Sequence, residues 1–327
     1  MLERAGDLAA GVGRAAPPGS RRGRMVGTVA AALVAAFVAA FLASQAERLP
    51  DHDWRFAPGW LALAVLAAAV FYVASGQAWL AILRALGERL DAAPGHVVFT
   101  KALLARYVPT SVLALVGRVV LAERHGVSKR ACLASIVYEV GCSLAAAVVV
   151  GAYFVVTLPP LEHEPARFAV LAVVPLALAA LHPRVFHPLA DRGLARLGRE
   201  PLARSLSFGR VLAFVALYVV LWLLCGLALF AFAAALHPVE AADLPTVAAS
   251  YSVGFCAAVL TFFVPAGLGT RDAAIAASVG TVLPGGVALA IAVAFRIFQT
   301  LAEVAYLAGA GAVARLTGAP RSRASTR

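Results

Sequence analysis

Eight charged side chains stand inside otherwise apolar stretches: Lys101, Arg106, Arg118, Glu139, Arg271, Asp272, Arg296 and Glu303. In a bilayer, an arginine or aspartate at a helix centre costs about 2.5–3.5 kcal/mol on insertion scales, so each needs a role. The densest group closes the stretch FFVPAGLGTRD, Phe262 to Asp272. Pro265 lacks an N–H donor, and Gly267 and Gly269 tolerate positive φ, so an entering helix ends there. Thr270 is placed to cap a returning helix over 271–283, with its unsatisfied N–H groups and positive dipole end facing mid-membrane. Together with the Arg271 guanidinium, that end suits a phosphate or a carboxylate. A plainer account has Asp272 capping the helix and pairing with Arg271, although neighbours on a helix diverge by about 100°.

A second break, Pro109-Thr110-Ser111, is placed to build a matching helix start, with Arg106 near its tip and Arg118 further along. Lys101 lies about a turn before Arg106. Lys101 and Arg118 could equally snorkel to the interface. Arg296 and Glu303 are seven apart, two turns along one face, where they line a common cavity with Gln299 between them. Glu139 sits in an earlier apolar run. Ion pairs of Glu139 with Arg296 or Arg106 are the simple expectation, and a proton relay through Glu139 or Glu303 the more elaborate one. The substrate-binding set expected from sequence is therefore Arg271, Asp272, Thr270, Gly267, Gly269, Pro265, Arg296, Glu303, Arg106, Pro109, Arg118 and Glu139.

Catalytic signatures are missing. The seven histidines show no HExxH spacing, and no GxSxG, P-loop or DxD-type motif is present. Cys132, Cys142, Cys225 and Cys256 fall in apolar runs without metal-type spacing and are expected to pack as small residues. The expectation is a protein that is not an enzyme and uses no cofactor or metal.

The elements that carry these residues follow from composition. The chain is 62% hydrophobic and only 14% charged, with a mean hydropathy of +0.86. Soluble domains are nearer one-quarter charged, so an all-α polytopic membrane protein is expected. The net charge of +11 does not imply nucleic acid, because the basic residues sit in short loops between apolar runs. Six spans are expected: Met25–Ser44, Gly59–Leu83, Ala131–Thr157, Phe168–Leu181, Val211–Leu236 and Gly286–Ala314. Phe168–Leu181 is short for a crossing. Arginine crowds the tail over 1–24, the loops after residues 83 and 121, the segment 184–210 and the tail over 315–327. By the positive-inside rule both termini are cytoplasmic, in a plasma-membrane protein. A cleavable signal at the N-terminus is the alternative for the first span.

That topology leaves 97–121 and 246–283 each starting and ending on one side, as two re-entrant broken hairpins. Each half then reads span, span, hairpin, span, with repeats over 25–157 and 158–314 in inverted topology. YVPTSVLALVGR in one half answers FVPAGLGTR in the other, the paired-break pattern of transporters with a midplane site. Segment 184–210 is expected to lie as an amphipathic helix at the anionic interface.

These breaks carry a resemblance. VPTSVLALVGRVVLAERHGVS (Val108–Ser128), PAGLGTRD (Pro265–Asp272) and AFRIF around Arg296 resemble the motifs of the transmembrane region of lysylphosphatidylglycerol synthases and their stand-alone, flippase-like relatives. The resemblance covers roughly 25–314. Ala266 stands where that family commonly has glycine and Asp272 where it has glutamate, and the first hairpin lacks the customary glycine pair. Only a short basic tail follows the last span, so the resemblance implies the lipid-translocating part without the aminoacyl-transfer domain.

The leading functional expectation is a flippase or transporter for an anionic phospholipid or a lipid-linked envelope intermediate. The alternatives are a membrane-embedded lipid-modifying transferase, and a non-transporting subunit of an envelope-biogenesis complex. Membrane lipids with anionic headgroups are the expected partners, with a second copy of the chain or an envelope enzyme as further candidates.

Overall fold

Long runs of alanine, leucine and valine have no polar backbone partner in lipid except their own helix, which makes the helix obligatory. The structure, a computed structural model, describes residues 54–105, 111–157, 163–196, 205–260 and 269–317. No strand occurs among the described residues. The first expected span, Met25–Ser44, and both terminal tails lie outside them, as do Arg106, Pro109 and Thr110 of the first break and Pro265 and Gly267 of the second.

Helix α1 (Pro58–Ala85) opens on a proline in its first turn, where the missing N–H is no loss. It is followed by α2 (Ala92–Ala105), α3 (Ser111–Glu123) and α4 (Lys129–Thr157). A 3-10 stretch, Pro165–Ala172, leads into α5 (Val173–Ala180), and α6 (Pro183–Arg196) follows after a brief turn. Then come α7 (Phe208–Leu236), α8 (Leu244–Leu260), α9 (Thr270–Val279) and α10 (Gly285–Leu316). Helices α1, α4, α7 and α10, and Ala241–Leu260 with its leading 3-10 turn, are each long and apolar enough to cross a membrane. The expected Gly59–Leu83, Ala131–Thr157, Val211–Leu236 and Gly286–Ala314 fall on α1, α4, α7 and α10 within a few residues.

Both expected hairpins show two helical arms packed on each other, α2 on α3 and α8 on α9. The arms of the second are unequal. Helix α8 has 17 residues, a rise of about 26 Å, and α9 has 10, about 15 Å. Half a bilayer core is about 15 Å, so α9 has the length of a helix that begins near the middle and ends at one face.

The short Phe168–Leu181 segment differs from a plain α-helix. Its residues 168–172 wind as 3-10 helix, rising about 2.0 Å each, and the eight residues of α5 rise about 1.5 Å each, giving a reach of about 22 Å over 168–180. Even with the tighter winding the segment stays short of the ~30 Å core, and it is not among the helices long enough to cross.

The main core joins α1, α4, α7, α8, α9 and α10, and α1 and α7 form its most extensive pair. Small residues set the spacing. A Cβ at Gly226 of α7 would stand 2.4 Å from the Ala248 carbonyl oxygen of α8, so these backbones touch where only glycine fits. A second core gathers Trp79, Leu80, Leu83, Val98, Phe99, Val119, Ala122, Val127, Cys132 and Ile136, seating the α2–α3 hairpin against α1 and α4. Cys132, Cys142 and Cys225 are buried packing residues, and the four cysteines form no disulfide.

Candidate functional site

The start of α9 is set by Gly269, which takes the N-cap position with φ 83°, in the left-handed region that favours glycine. Thr270 is thus the first helical residue and not the cap, and no side chain caps this helix. Asp272 lies in the first turn, where a carboxylate meets the positive end of the helix dipole. Gly254 of α8 lets the two arms close: a Cβ there would stand 2.6 Å from Ile275 Cγ1 and 3.0 Å from the Arg271 carbonyl oxygen.

With the arms so close, the charges are drawn inside. Arg271 is 9% exposed, Asp272 4%, Arg296 8% and Glu303 0%. Arg296 Nη1 donates to both Asp272 oxygens, at 3.2 and 3.1 Å. Arg271 Nε stands 3.7 Å from Asp272 Oδ1, so the carboxylate is shared by two guanidiniums, with α10 supplying the nearer one. Arg271 reaches α10 in turn: Nη2 donates to Gln299 Oε1 at 3.0 Å, and Nη1 donates to the Tyr251 hydroxyl of α8 at 3.3 Å. Gln299 Nε2 donates to the same hydroxyl at 2.7 Å and approaches Cys225 Sγ of α7 at 3.7 Å. One turn further along α10, Glu303 Oε1 accepts from the Tyr72 hydroxyl of α1 at 3.0 Å.

This arrangement corrects the expected pairings. Arg296 binds Asp272 and not Glu139, and its helix face continues over two turns through Gln299 to Glu303, as the seven-residue spacing implies. Glu139 is bound by Arg118, whose Nη1 lies 2.6 Å from Glu139 Oε2. Arg118 does not snorkel to the interface: it is 8% exposed, with the Trp79 ring 4.2 Å and the Phe99 ring 4.8 Å from its Cζ. Lys101, by contrast, is exposed. The site residues thus fall into two groups, Arg271, Asp272, Arg296 and Glu303 around α9–α10, and Arg118 with Glu139 across α3–α4.

Sequence reasoning passed over Tyr72, Tyr251, Trp79 and Phe99. The available signal was a hydroxyl-bearing or broad aromatic ring inside an apolar run, which looks the same when it merely packs. Among the described residues no group of three metal-ligating side chains comes together. The α9–α10 group can hold an oxyanion through guanidinium and amide donors, with Asp272 as the internal counter-charge that a ligand must displace or share.

Described residues that are helical without a strand, with five helices among them of membrane-crossing length and charges drawn inward, mark a multi-pass membrane protein. Residues 24–305 match the family described as the lysylphosphatidylglycerol synthase TM region, and the chain belongs to that family. No curated protein matches the sequence.

Proposed function

We propose that this protein translocates an anionic phospholipid, or a lipid-linked envelope intermediate, between the leaflets of the plasma membrane. The observation that carries the reading is the buried Arg271–Asp272–Arg296–Gln299 group at the start of a half-length helix. Two guanidiniums share one carboxylate there, so an incoming phosphate can trade places with Asp272 on either arginine without exposing a bare charge to lipid. Glu303, bonded to Tyr72, adds a second buried carboxylate two turns from Arg296. We assign the site to binding and not to bond making.

The inverted repeat is part of the proposal and has its own support. Each hairpin's second arm is tied to the following long helix by a buried ion pair, Arg118–Glu139 for α3–α4 and Asp272–Arg296 for α9–α10. Glu139 and Arg296 occupy nearly the same position counted from the starts of α4 and α10, with the charges exchanged. In this reading the hairpins enter from opposite faces, both termini are cytoplasmic, and α6 rests on the basic side among anionic headgroups.

The test is reconstitution of the full chain into vesicles carrying a fluorescent phosphatidylglycerol, followed by dithionite quenching of the outer leaflet. Wild type should flip the probe well above empty vesicles, and Arg271→Ala should fall about tenfold or more, the loss of a charge-assisted headgroup contact. Equal rates for the two proteins, or no rate above empty vesicles, contradict the proposal.

A further inference from the structure

Three helices meet at His96. The residue lies early in α2, which packs on both α1 and α10. Gly76 of α1 makes room for the meeting: a Cβ there would stand 2.5 Å from His96 Nδ1 and 2.6 Å from the Tyr306 hydroxyl of α10. Gly95 does the same from the α2 side, where a Cβ would stand 2.6 Å from Leu80 Cδ2 of α1. Each ring nitrogen of His96 is engaged by a different helix. Gln77 Nε2 of α1 donates to His96 Nε2 at 2.8 Å, and His96 Nδ1 is hydrogen-bonded to the Tyr306 hydroxyl. An amide nitrogen only donates, so Nε2 accepts and the ring proton resides on Nδ1. These contacts assign a neutral imidazole. Tyr72 stacks on the Tyr306 ring and donates to Glu303, so the junction bears on the α10 face that carries Gln299 and Glu303.

A proton added at Nε2 would set an N–H against the Gln77 amide donor, at a close-packed junction with no counter-charge in place. On α1, Gln77 is neutral, Tyr72 is turned to Glu303, and Arg84, a like charge, follows Gln77 by two turns. On α10, Tyr306 makes the contact itself, and Glu303, a turn earlier, is wholly buried and bonded to Tyr72. On α3, Arg118 is taken by Glu139 and Glu123 by Lys129. On α2, Lys101 is exposed and is again a like charge, and Asp91 precedes the helix. Among the described residues His96 joins no ion pair with any of them.

We infer that His96 is a pH-sensitive latch: neutral, it ties the first arm of the α2–α3 hairpin to α1 and α10, and protonated, it lets that arm go. Burial pushes the ring below its ordinary value of 6.5, so the closed junction binds fewer protons than the opened one. The latch is therefore fully closed above about pH 6.5 and loosens as the pH falls below it. The inference stands apart from the translocation proposal, because it concerns a contact within the chain and is measured without a lipid substrate.

The experiment uses the full chain in nonionic-detergent micelles, with Cys132, Cys142, Cys225 and Cys256 replaced by alanine and Thr100→Cys as reporter. Thr100 lies one turn beyond His96 and is 0% exposed, so a maleimide reaches that position only when the arm lifts. Labelling rates are divided by those of the same protein unfolded in dodecyl sulfate, which removes the titration of the thiol itself. The ratio should rise about threefold or more between about pH 7.5 and pH 5.5. It should stay flat in His96→Gln, which carries no charge at any pH; the other histidines are common to both proteins. Gln77→Glu supplies the carboxylate that the protonated ring lacks, and there the rise should vanish. A pH-independent ratio with His96 in place, or an equal rise in His96→Gln, overturns the latch. Should His96→Gln fail to fold, an undiminished rise in Gln77→Glu overturns it.

Discussion

At the scale of single residues, the account turns on how a charge is made tolerable in lipid. Asp272 illustrates it: the positive end of the α9 dipole, Arg296 at two contacts and Arg271 at a longer one surround its carboxylate. Arg296→Ala removes the nearer cation and leaves Asp272 buried, which should destabilise the protein by about 3–5 kcal/mol. Because the partners act as a unit, Asp272→Ala added to Arg296→Ala should cost less than the two separate losses summed, by about 0.5–3 kcal/mol. Denaturant unfolding of the four proteins in micelles, followed by far-UV circular dichroism, measures this; strict additivity would mean the pair is not coupled. The residues themselves were legible in the sequence because charge is conspicuous in apolar runs. Their pairing was not. Which partner an embedded arginine finds depends on the rotation of each helix about its axis, and rotation is set by packing residues such as Gly226 and Gly254 that carry no charge. Thus Glu139 was expected to meet Arg296 or Arg106; it meets Arg118 and not Arg296, and Arg106 lies outside the described residues.

At the scale of elements, the hairpin arms depend on close backbone approach more than on sequence-specific bonds. Gly254→Val would place side-chain carbon against Ile275 and the Arg271 carbonyl, forcing α9 away from α8. That displacement should break the Arg271–Tyr251 and Arg271–Gln299 contacts together, lowering stability by about 1–3 kcal/mol and lipid flipping with it. Thermal unfolding and the vesicle assay on the one variant check both effects; unchanged values in both would show that the arms are not held by this contact. The helices of α1, α4, α7 and α10 were plain from hydropathy and length. The segment from residue 165 to 180 was harder, because apolarity does not distinguish 3-10 from α winding, and here the winding changes the reach by several ångströms. The Thr270 cap misled for a related reason: threonine is a common cap, but a glycine one residue earlier reached the required left-handed turn without side-chain strain.

At the scale of the whole molecule, the argument joins two observations, loop charge and paired buried clusters. In the proposed topology the arginine-rich loops set which side each hairpin enters from, and the exchanged ion pairs Arg118–Glu139 and Asp272–Arg296 give each half one charged latch. If the hairpins enter from opposite faces, the two clusters serve opposite leaflets, and a headgroup can pass from one to the other. If both segments simply crossed, the following helices would reverse and the arginine-rich loops would change sides. The direct measurement is site-directed thiol labelling in oriented membrane vesicles, using a background with Cys132, Cys142, Cys225 and Cys256 replaced by alanine. Single cysteines at Thr110 and Thr270 are then probed with a membrane-impermeant maleimide from each side. The account predicts that Thr110→Cys reacts from the cytoplasmic side and Thr270→Cys from the opposite one; labelling of both positions from the same side would contradict it.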